Sequence, residues 1–252
     1  MVISAILSLI FGGALLFLLR YYSLRSANAE SVAIERIAAF AAKGSGDVVA
    51  IGGGVATLPL IRCVVFVADR TTEESAELIR IIVKYYHLES YRIKRARQSG
   101  SNADKAYFLA LLARLPLTAN STADFEVFLT DKRADVRFYA LLCIFSADST
   151  RAVATLSRRK ERLSRTDVAE IMTVISRGLC PIPYTPLLIS GNYNLSLLGI
   201  TLVRRFGIRE CESELMRFVS YGDKDLREDA IETLLSLGAA ECEFETEKIH
   251  VV

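Results

Sequence analysis

The sequence predicts an all-helical protein: a stack of short helical hairpins preceded by one membrane-spanning helix. Three observations predict it. Apolar residues make up 52% of the chain and charged residues 24%, with only five prolines, and long stretches lack both Pro and Gly. That composition supports a sizeable core and favours helices over a turn-rich β architecture. An uncharged apolar segment opens the chain. Behind it, one helical pattern returns five times at a near-constant spacing. With 252 residues there is room for one elongated array plus an anchor.

The first element is residues 1–22, the expected transmembrane anchor. Val2–Leu19 carries no charge over 18 residues, and Arg20 closes it. A helix of that length spans about 27 Å, close to the hydrocarbon thickness of a bilayer. Tyr21 and Tyr22 follow where interfacial aromatics are expected, and Gly12 and Gly13 are tolerated inside a membrane helix. Two other readings compete: a cleaved signal peptide, with Ala27-Asn28-Ala29 as the small-residue site, or a buried soluble helix. No Lys or Arg precedes the apolar run, and Arg20 and Arg25 separate it from the cleavage-like triplet, so the uncleaved anchor is preferred. Arg20, Arg25, Arg36 and Lys43 lie after the segment and none before it. The positive-inside rule then puts the body in the cytoplasm of a single-pass protein of the cell membrane. The five cysteines, odd in number and without a CxxC pair, fit buried reduced thiols in a reducing compartment.

Residues 23–98 form a juxtamembrane helical region. Within it Val48–Ala68 is apolar but contains Gly52-Gly53-Gly54, Pro59 and Arg62. An arginine near the middle of a span costs about 2.5–3.5 kcal/mol on insertion scales, so the stretch reads as a loop followed by a buried helix. Gly44-Ser45-Gly46 and the Gly52–Gly54 run lack the Lys-Ser/Thr or G-x-G-x-x-G context of a phosphate cradle and read as flexible connectors.

Residues 99–239 hold the repeat. Ala106–Leu115, Val136–Phe145, Val168–Arg177, Leu195–Arg204 and Leu226–Leu235 align, with starts 30, 32, 27 and 31 residues apart. Four residues after each start stand Ala110, Ala140, Met172, Gly199 and Ala230. Small residues there let neighbouring helices approach closely, and the apolar residues around them recur at helical spacing. Shorter helices are expected before the later four, near Ala123–Thr130, Thr150–Leu163, Tyr184–Ser190 and Glu210–Ser220. Asp135 and Asp225 are placed to cap the helices that follow them, and Pro181 and Pro183 break the chain between pairs. Residues 240–252 form an acidic tail, the end of a region from Glu210 with twelve acidic and four basic residues.

Two of these segments, Asp135-Val136-Arg137 with Ala140-Leu141 and Asp225-Leu226-Arg227 with Ala230-Ile231, resemble the Asp-Val-Arg-x-x-Ala pattern of the HEAT-repeat family. The resemblance covers about Ser99–Ala239. It implies a right-handed, armadillo-type α-solenoid whose extended surface binds proteins, and in which the patterned Asp and Arg are structural. The units near Val168 and Leu195 lack the Asp-x-Arg pair, and the period suits the short HEAT-like repeats. The Trp and Pro signature of tetratricopeptide repeats and the Thr-Pro-Leu-His of ankyrin repeats do not occur.

For chemistry the chain offers two histidines, His87 and His250, with no nucleophile motif or metal-ligand spacing beside them. His87 reads as a helix-surface histidine. No catalytic residue, metal or cofactor is therefore assigned, although an enzyme on a HEAT-like scaffold, a lyase or hydrolase with a pocket at His87 or Cys180, is the alternative. Two basic clusters are candidate contacts to an anionic partner: Arg92, Lys94, Arg95 and Arg97, and Arg158, Arg159, Lys160 and Arg162. Lipid headgroups or an acidic protein fit these better than nucleic acid, because the net charge is only +2 and an anchor is expected. The function expected is a membrane-tethered scaffold or adaptor that binds a protein partner, a membrane enzyme or a transport complex, through its repeat surface.

Overall fold

Burial and capping, more than propensity, decide where the helices of this chain begin and end. The computed structural model describes residues 26–44, 46–53, 55–70, 73–176 and 182–238. Among them the regular elements are all helical and there is no strand. The expected anchor over residues 1–22 and the acidic tail over 240–252 lie outside the described residues. No helix among the described residues is long and apolar enough to cross a membrane. These residues divide into two compact units, 26–147 and 148–238.

Among the described residues the first unit starts with α1, helical over 26–43 and including Ala27-Asn28-Ala29. A single turn, α2 (Val48–Ile51), then leads to α3 (Thr57–Ala68). The apolar stretch 48–68 is thus a loop with one helical turn followed by a buried helix, as expected, and Pro59 sits harmlessly in the first turn of α3. Gly52 of the glycine run is part of a built joint instead of a flexible connector. Tyr86 at the end of α4 (Glu73–Tyr85) accepts a hydrogen bond from the Gly52 amide (2.7 Å) and donates to the Val48 carbonyl (2.7 Å). A Cβ at Gly52 would lie 2.6 Å from the Tyr86 ring, so only glycine lets the ring approach. Ser75 ties α4 to α1 through the Ala41 carbonyl (3.0 Å).

α5 (Leu88–Gln98) and α6 (Asn102–Ala113) follow, then α7 (Thr122–Glu126), which tightens into a 3-10 turn over Val127–Thr130, and α8 (Ala134–Ala147). α8 is apolar on nearly every side, the mark of a helix surrounded by protein. It is buried from Ala140 to Ala147 and packs on α6 and α7. Cys143 donates to the Leu109 carbonyl (3.3 Å) and Ser146 to the Leu115 carbonyl, so two polar side chains on the buried helix each find an acceptor. Arg137 closes the turn ahead of α8 by donating to the Asp131 and Lys132 carbonyls, both at 2.9 Å, which is a structural use of the patterned arginine.

The second unit holds α9 (Ser149–Ser157), α10 (Arg165–Ile175), α11 (Tyr184–Ile189), α12 (Tyr193–Phe206), α13 (Glu212–Tyr221) and α14 (Lys224–Ser236). α12 is central and packs on α9, α10, α11 and α14. At Gly199 a Cβ would come within 3.0 Å of the Leu187 side chain, so α12 lies directly against α11. Ala140 and Ala230, at the same register position, are fully buried. Three of the five expected long helices fall within observed ones, α6 ends at Ala113 short of the expected Leu115 and α10 at Ile175 short of Arg177, and the four shorter helices are present.

Three further details differ from expectation. α9 ends at Ser157, not near Leu163, and it packs chiefly on α12 instead of pairing with α10. The cause is Asn194, which gathers the chain after α9 into a loop. Neither Asp135 nor Asp225 is a cap: both are second residues of their helices, because Ala134 and Lys224 already take helical geometry. The cap of α14 is Asp223, which accepts from the Asp225 amide (3.2 Å). Asp135 still favours the positive end of the α8 dipole and pairs with Arg133.

Candidate functional site

At one end of the second unit, two helix-to-helix turns lie side by side. One joins α11 to α12 through Gly191, whose φ of +68° needs no Cβ. The other joins α13 to α14 through Gly222 and Asp223. Between them opens a groove of about 480 Å³. Leu188, Ile189, Phe218 and Leu226 supply apolar wall, Tyr193 and Tyr221 aromatic wall, and Arg162, Arg217, Glu214 and Asp223 the charged groups. Tyr221 is 90% exposed and Ile189 is exposed beside it, apolar surface that monomeric helices usually turn inward.

The position of Arg162 is fixed from beneath. Asn194, buried near the start of α12, accepts from the Leu163 amide (2.8 Å) and donates to the carbonyls of Glu161 (3.0 Å) and Arg159 (3.4 Å). A capping box follows at once: Ser164 accepts from the Asp167 amide (3.1 Å) and Asp167 from the Ser164 amide (2.9 Å), starting α10. Held between these two anchors, Arg162 lies over the Tyr193 ring (4.3 Å) and pairs with Asp223 (3.0 Å). Partial burial, reinforced by the Asp225 charge, pushes the Tyr193 hydroxyl above its ordinary pKa, so it stays a neutral donor at physiological pH.

The two predicted basic clusters fall in different units. In the second, Arg158, Lys160 and Arg162 are exposed, while Arg159 is half-buried and faces Glu161 at 3.3 Å. Only Arg162 of these lines the groove. In the first, Lys94 and Arg95 are exposed, and Arg97 is exposed and pairs with Asp124 (2.5 Å). Arg92 corrects the sequence reading: it is fully buried and offers no surface contact. Its register on α5 places it between Leu88 and Ala96 on the inward stripe. The guanidinium lies 4.6 Å from the Phe108 ring centre and 5.7 Å from that of Tyr107, and its three nitrogens have no hydrogen-bond partner. Burial pulls its pKa below the usual arginine value.

His87 is not on a helix face. It is the left-handed residue (φ +49°) joining α4 to α5, exposed at the turn. Cys180 lies outside the described residues. Cys63, Cys143 and Cys211 are buried free thiols, each with its pKa raised above the ordinary value chiefly by burial. Among the described residues no group of His, Cys, Asp and Glu side chains is arranged to hold a metal ion.

Sequence reasoning located Arg162 but missed Tyr193, Asn194, Arg217 and Tyr221. The signal available for them was Gly191-Asn192-Tyr193-Asn194: two amides flanking an aromatic at a helix start, one of which, Asn192, is needed as the cap. Fold and groove together define an all-helical protein with an apolar, arginine-bearing recess at its helix turns. Comparison with family models, with curated proteins and with solved structures gives no match.

Proposed function

We propose that this chain is a membrane-tethered scaffold: a right-handed α-solenoid of short HEAT-like hairpins, held at the cell membrane by residues 1–22 with its body in the cytoplasm, that binds a protein partner in the groove of the second unit. The repeat reading is supported by the near-constant spacing of the long helices. It is supported too by their packing in series within each unit, α6 on α8, and α10 on α12 on α14.

The groove is the observation that carries the binding role. Its apolar walls, outlying Tyr221 and positioned arginine suit a protein segment that presents an apolar side chain next to a carboxylate. The apolar side chain enters between Ile189 and Phe218, and the carboxylate meets Arg217 or Arg162. A membrane enzyme or a transport complex is the class of partner, since a tether raises the local concentration of whatever shares the membrane.

The test is crosslinking in the native membrane followed by affinity purification and mass spectrometry, with wild type beside Tyr221→Ala and Arg217→Glu. The reading expects one dominant membrane protein held by wild type and lost from both variants. Truncating a tyrosine anchor of this kind costs about 2 kcal/mol, roughly thirty-fold in affinity. Capture that is indifferent to both substitutions refutes the groove as the binding site.

A further inference from the structure

The groove of the second unit already holds one carboxylate of its own. Arg162 lines it, and Nη2 of the guanidinium donates to Asp223 Oδ2 at 3.0 Å. The other oxygen of Asp223 is committed elsewhere: as the cap of α14, Oδ1 accepts from the Asp225 amide (3.2 Å). The pair is therefore a single hydrogen bond, although a guanidinium is a planar fork that can hold both oxygens of one carboxylate. Among the described residues no second carboxylate meets Arg162, and its charge rests on the Tyr193 ring at 4.3 Å. Arg217, the other cation of the groove, has no aromatic platform of this kind among the described residues.

The surroundings of that bond are fixed, and the bond itself is exchangeable. The loop carrying Arg162 is held to α12 by Asn194 and closed by the Ser164–Asp167 capping box. It reaches α14 a second time through Arg165, which meets the buried Asp229 at 3.3 Å. Loss of the Asp223 contact thus leaves the loop and the Tyr193 stack in place. The Arg162–Asp223 pair itself lies largely in water, with 61% and 35% of the two side chains exposed, and exposed pairs are weak. A carboxylate with neither oxygen tied to a helix cap makes two parallel bonds to the same guanidinium and displaces the one that makes a single bond. Leu188, Ile189 and Phe218 line the same groove, so a chain that brings such a carboxylate also meets apolar wall.

We infer that Asp223 is an internal competitor for Arg162: the groove takes a peptide segment with a carboxylate beside a bulky apolar side chain, and that carboxylate displaces Asp223 from the guanidinium. The inference rests on the groove being the binding site, and it assigns Arg162 over Arg217 as the anchor. Displaced Asp223 keeps its cap, because Oδ1 is already used there, so α14 stays wound when the partner enters. The contact also sets specificity. A segment with an amide in place of the carboxylate cannot displace Asp223 and gains nothing from Arg162.

The test uses two short probes, N-acetyl-para-fluorophenylalanyl-glutamyl amide and its glutaminyl counterpart, titrated against the full chain in detergent and read by fluorine NMR. Asp223→Asn removes the competing charge and keeps the cap, since asparagine caps a helix as well as aspartate does. The expected result is about fivefold tighter binding of the glutamyl probe to Asp223→Asn, the upper end of what an exposed ion pair supplies. Binding of the glutaminyl probe should not change. Arg162→Gln should erase the preference for glutamyl over glutaminyl, and Arg217→Gln should keep it. Equal binding of the glutamyl probe to wild type and Asp223→Asn, with the preference lost in Arg217→Gln, keeps the groove as binding site and overturns the exchange at Arg162. Weaker binding to Asp223→Asn overturns it too, because Asp223 then holds Arg162 in place for the ligand. If neither probe binds wild type, any variant or a chain lacking residues 240–252, the groove reading falls and the inference with it. Binding that emerges only when residues 240–252 are removed makes the chain's own acidic end the occupant and overturns the partner segment.

Discussion

Asn194→Leu is the substitution that most sharply tests how the groove is built. Leucine keeps the volume of the buried asparagine and removes only its polar atoms. Three hydrogen bonds go with them: from the Leu163 amide, and to the Glu161 and Arg159 carbonyls. Leu163 is itself buried, so its amide is left without an acceptor, which costs about 1–3 kcal/mol. The carbonyls lie in a half-exposed stretch where water replaces much of the loss, adding about 0.5–1 kcal/mol. The expected destabilisation is therefore about 2–4 kcal/mol, and it is local: the loop from Arg158 to Leu163 loses its hold on α12 and opens ahead of the rest of the unit. Hydrogen exchange reads this directly, because an opening made easier by about 3 kcal/mol speeds exchange at the Leu163 amide roughly a hundred-fold. Arg162 then leaves Tyr193 and Asp223, and capture of a groove-bound partner weakens although Asn194 does not line the groove. Wild-type exchange at Leu163 in a folded Asn194→Leu protein would refute the argument that this one amide organises the rim.

Gly52→Ala places a Cβ against the Tyr86 ring, and repacking of this kind costs about 1–3 kcal/mol. Tyr86→Phe removes the hydroxyl that bridges Gly52 and Val48 for about 1–2 kcal/mol, and urea melts of the double variant should fall short of the sum, since both changes act on one contact. Glu89 has its pKa raised chiefly by burial, against weaker opposing hydrogen bonds from Ser121 and Thr118. A carboxyl whose folded pKa is raised contributes stability that is fully present below the unfolded value near 4.5 and lost as pH rises through the folded one. Glu89→Gln should accordingly gain on wild type in thermal melts above that window and lose the advantage below it; a constant difference at all pH values would show that Glu89 does not titrate with folding. The thiols of Cys63, Cys143 and Cys211 are buried and biased toward the neutral form. In a Cys180→Ser, Cys242→Ser background, alkylation at neutral pH should await unfolding, and rapid labelling of the folded protein would contradict their burial.

The long helices were legible because each is a run of residues whose apolar positions repeat with the helix turn, a property of the local chain alone. The break in α9 was not legible. Thr150–Leu163 contains no Pro or Gly, and what ends the helix is an amide some thirty residues later. Capping was legible in kind but displaced by a residue or two, since an acidic side chain favours the first turn as well as the cap. The groove was the least legible feature. Its walls come from α11, α12, α13, α14 and the loop before α10, so no stretch of sequence contains it.

Arg92 shows why a charge run on a helix is a poor guide to a binding surface. Successive residues of a helix turn by about 100°. Arg92, Lys94, Arg95 and Arg97 therefore point in widely separated directions, and one of the four has to face whatever the helix packs on. Leu88, Ile93 and Ala96 fix that side, and Arg92 falls within it. A usable face is assembled differently, either by one helix at four-residue spacing or by equivalent ends of consecutive helices. The groove follows the second rule. The ends of α11 and α13 and the starts of α12 and α14 bring Ile189, Tyr193, Tyr221 and Asp223 together because hairpin turns on one side of a helix row are neighbours. Residues adjacent in space across such a groove stand about one long-helix spacing apart in sequence. Tyr193 and Tyr221 stand 28 apart, close to the spacing of the long helices they flank.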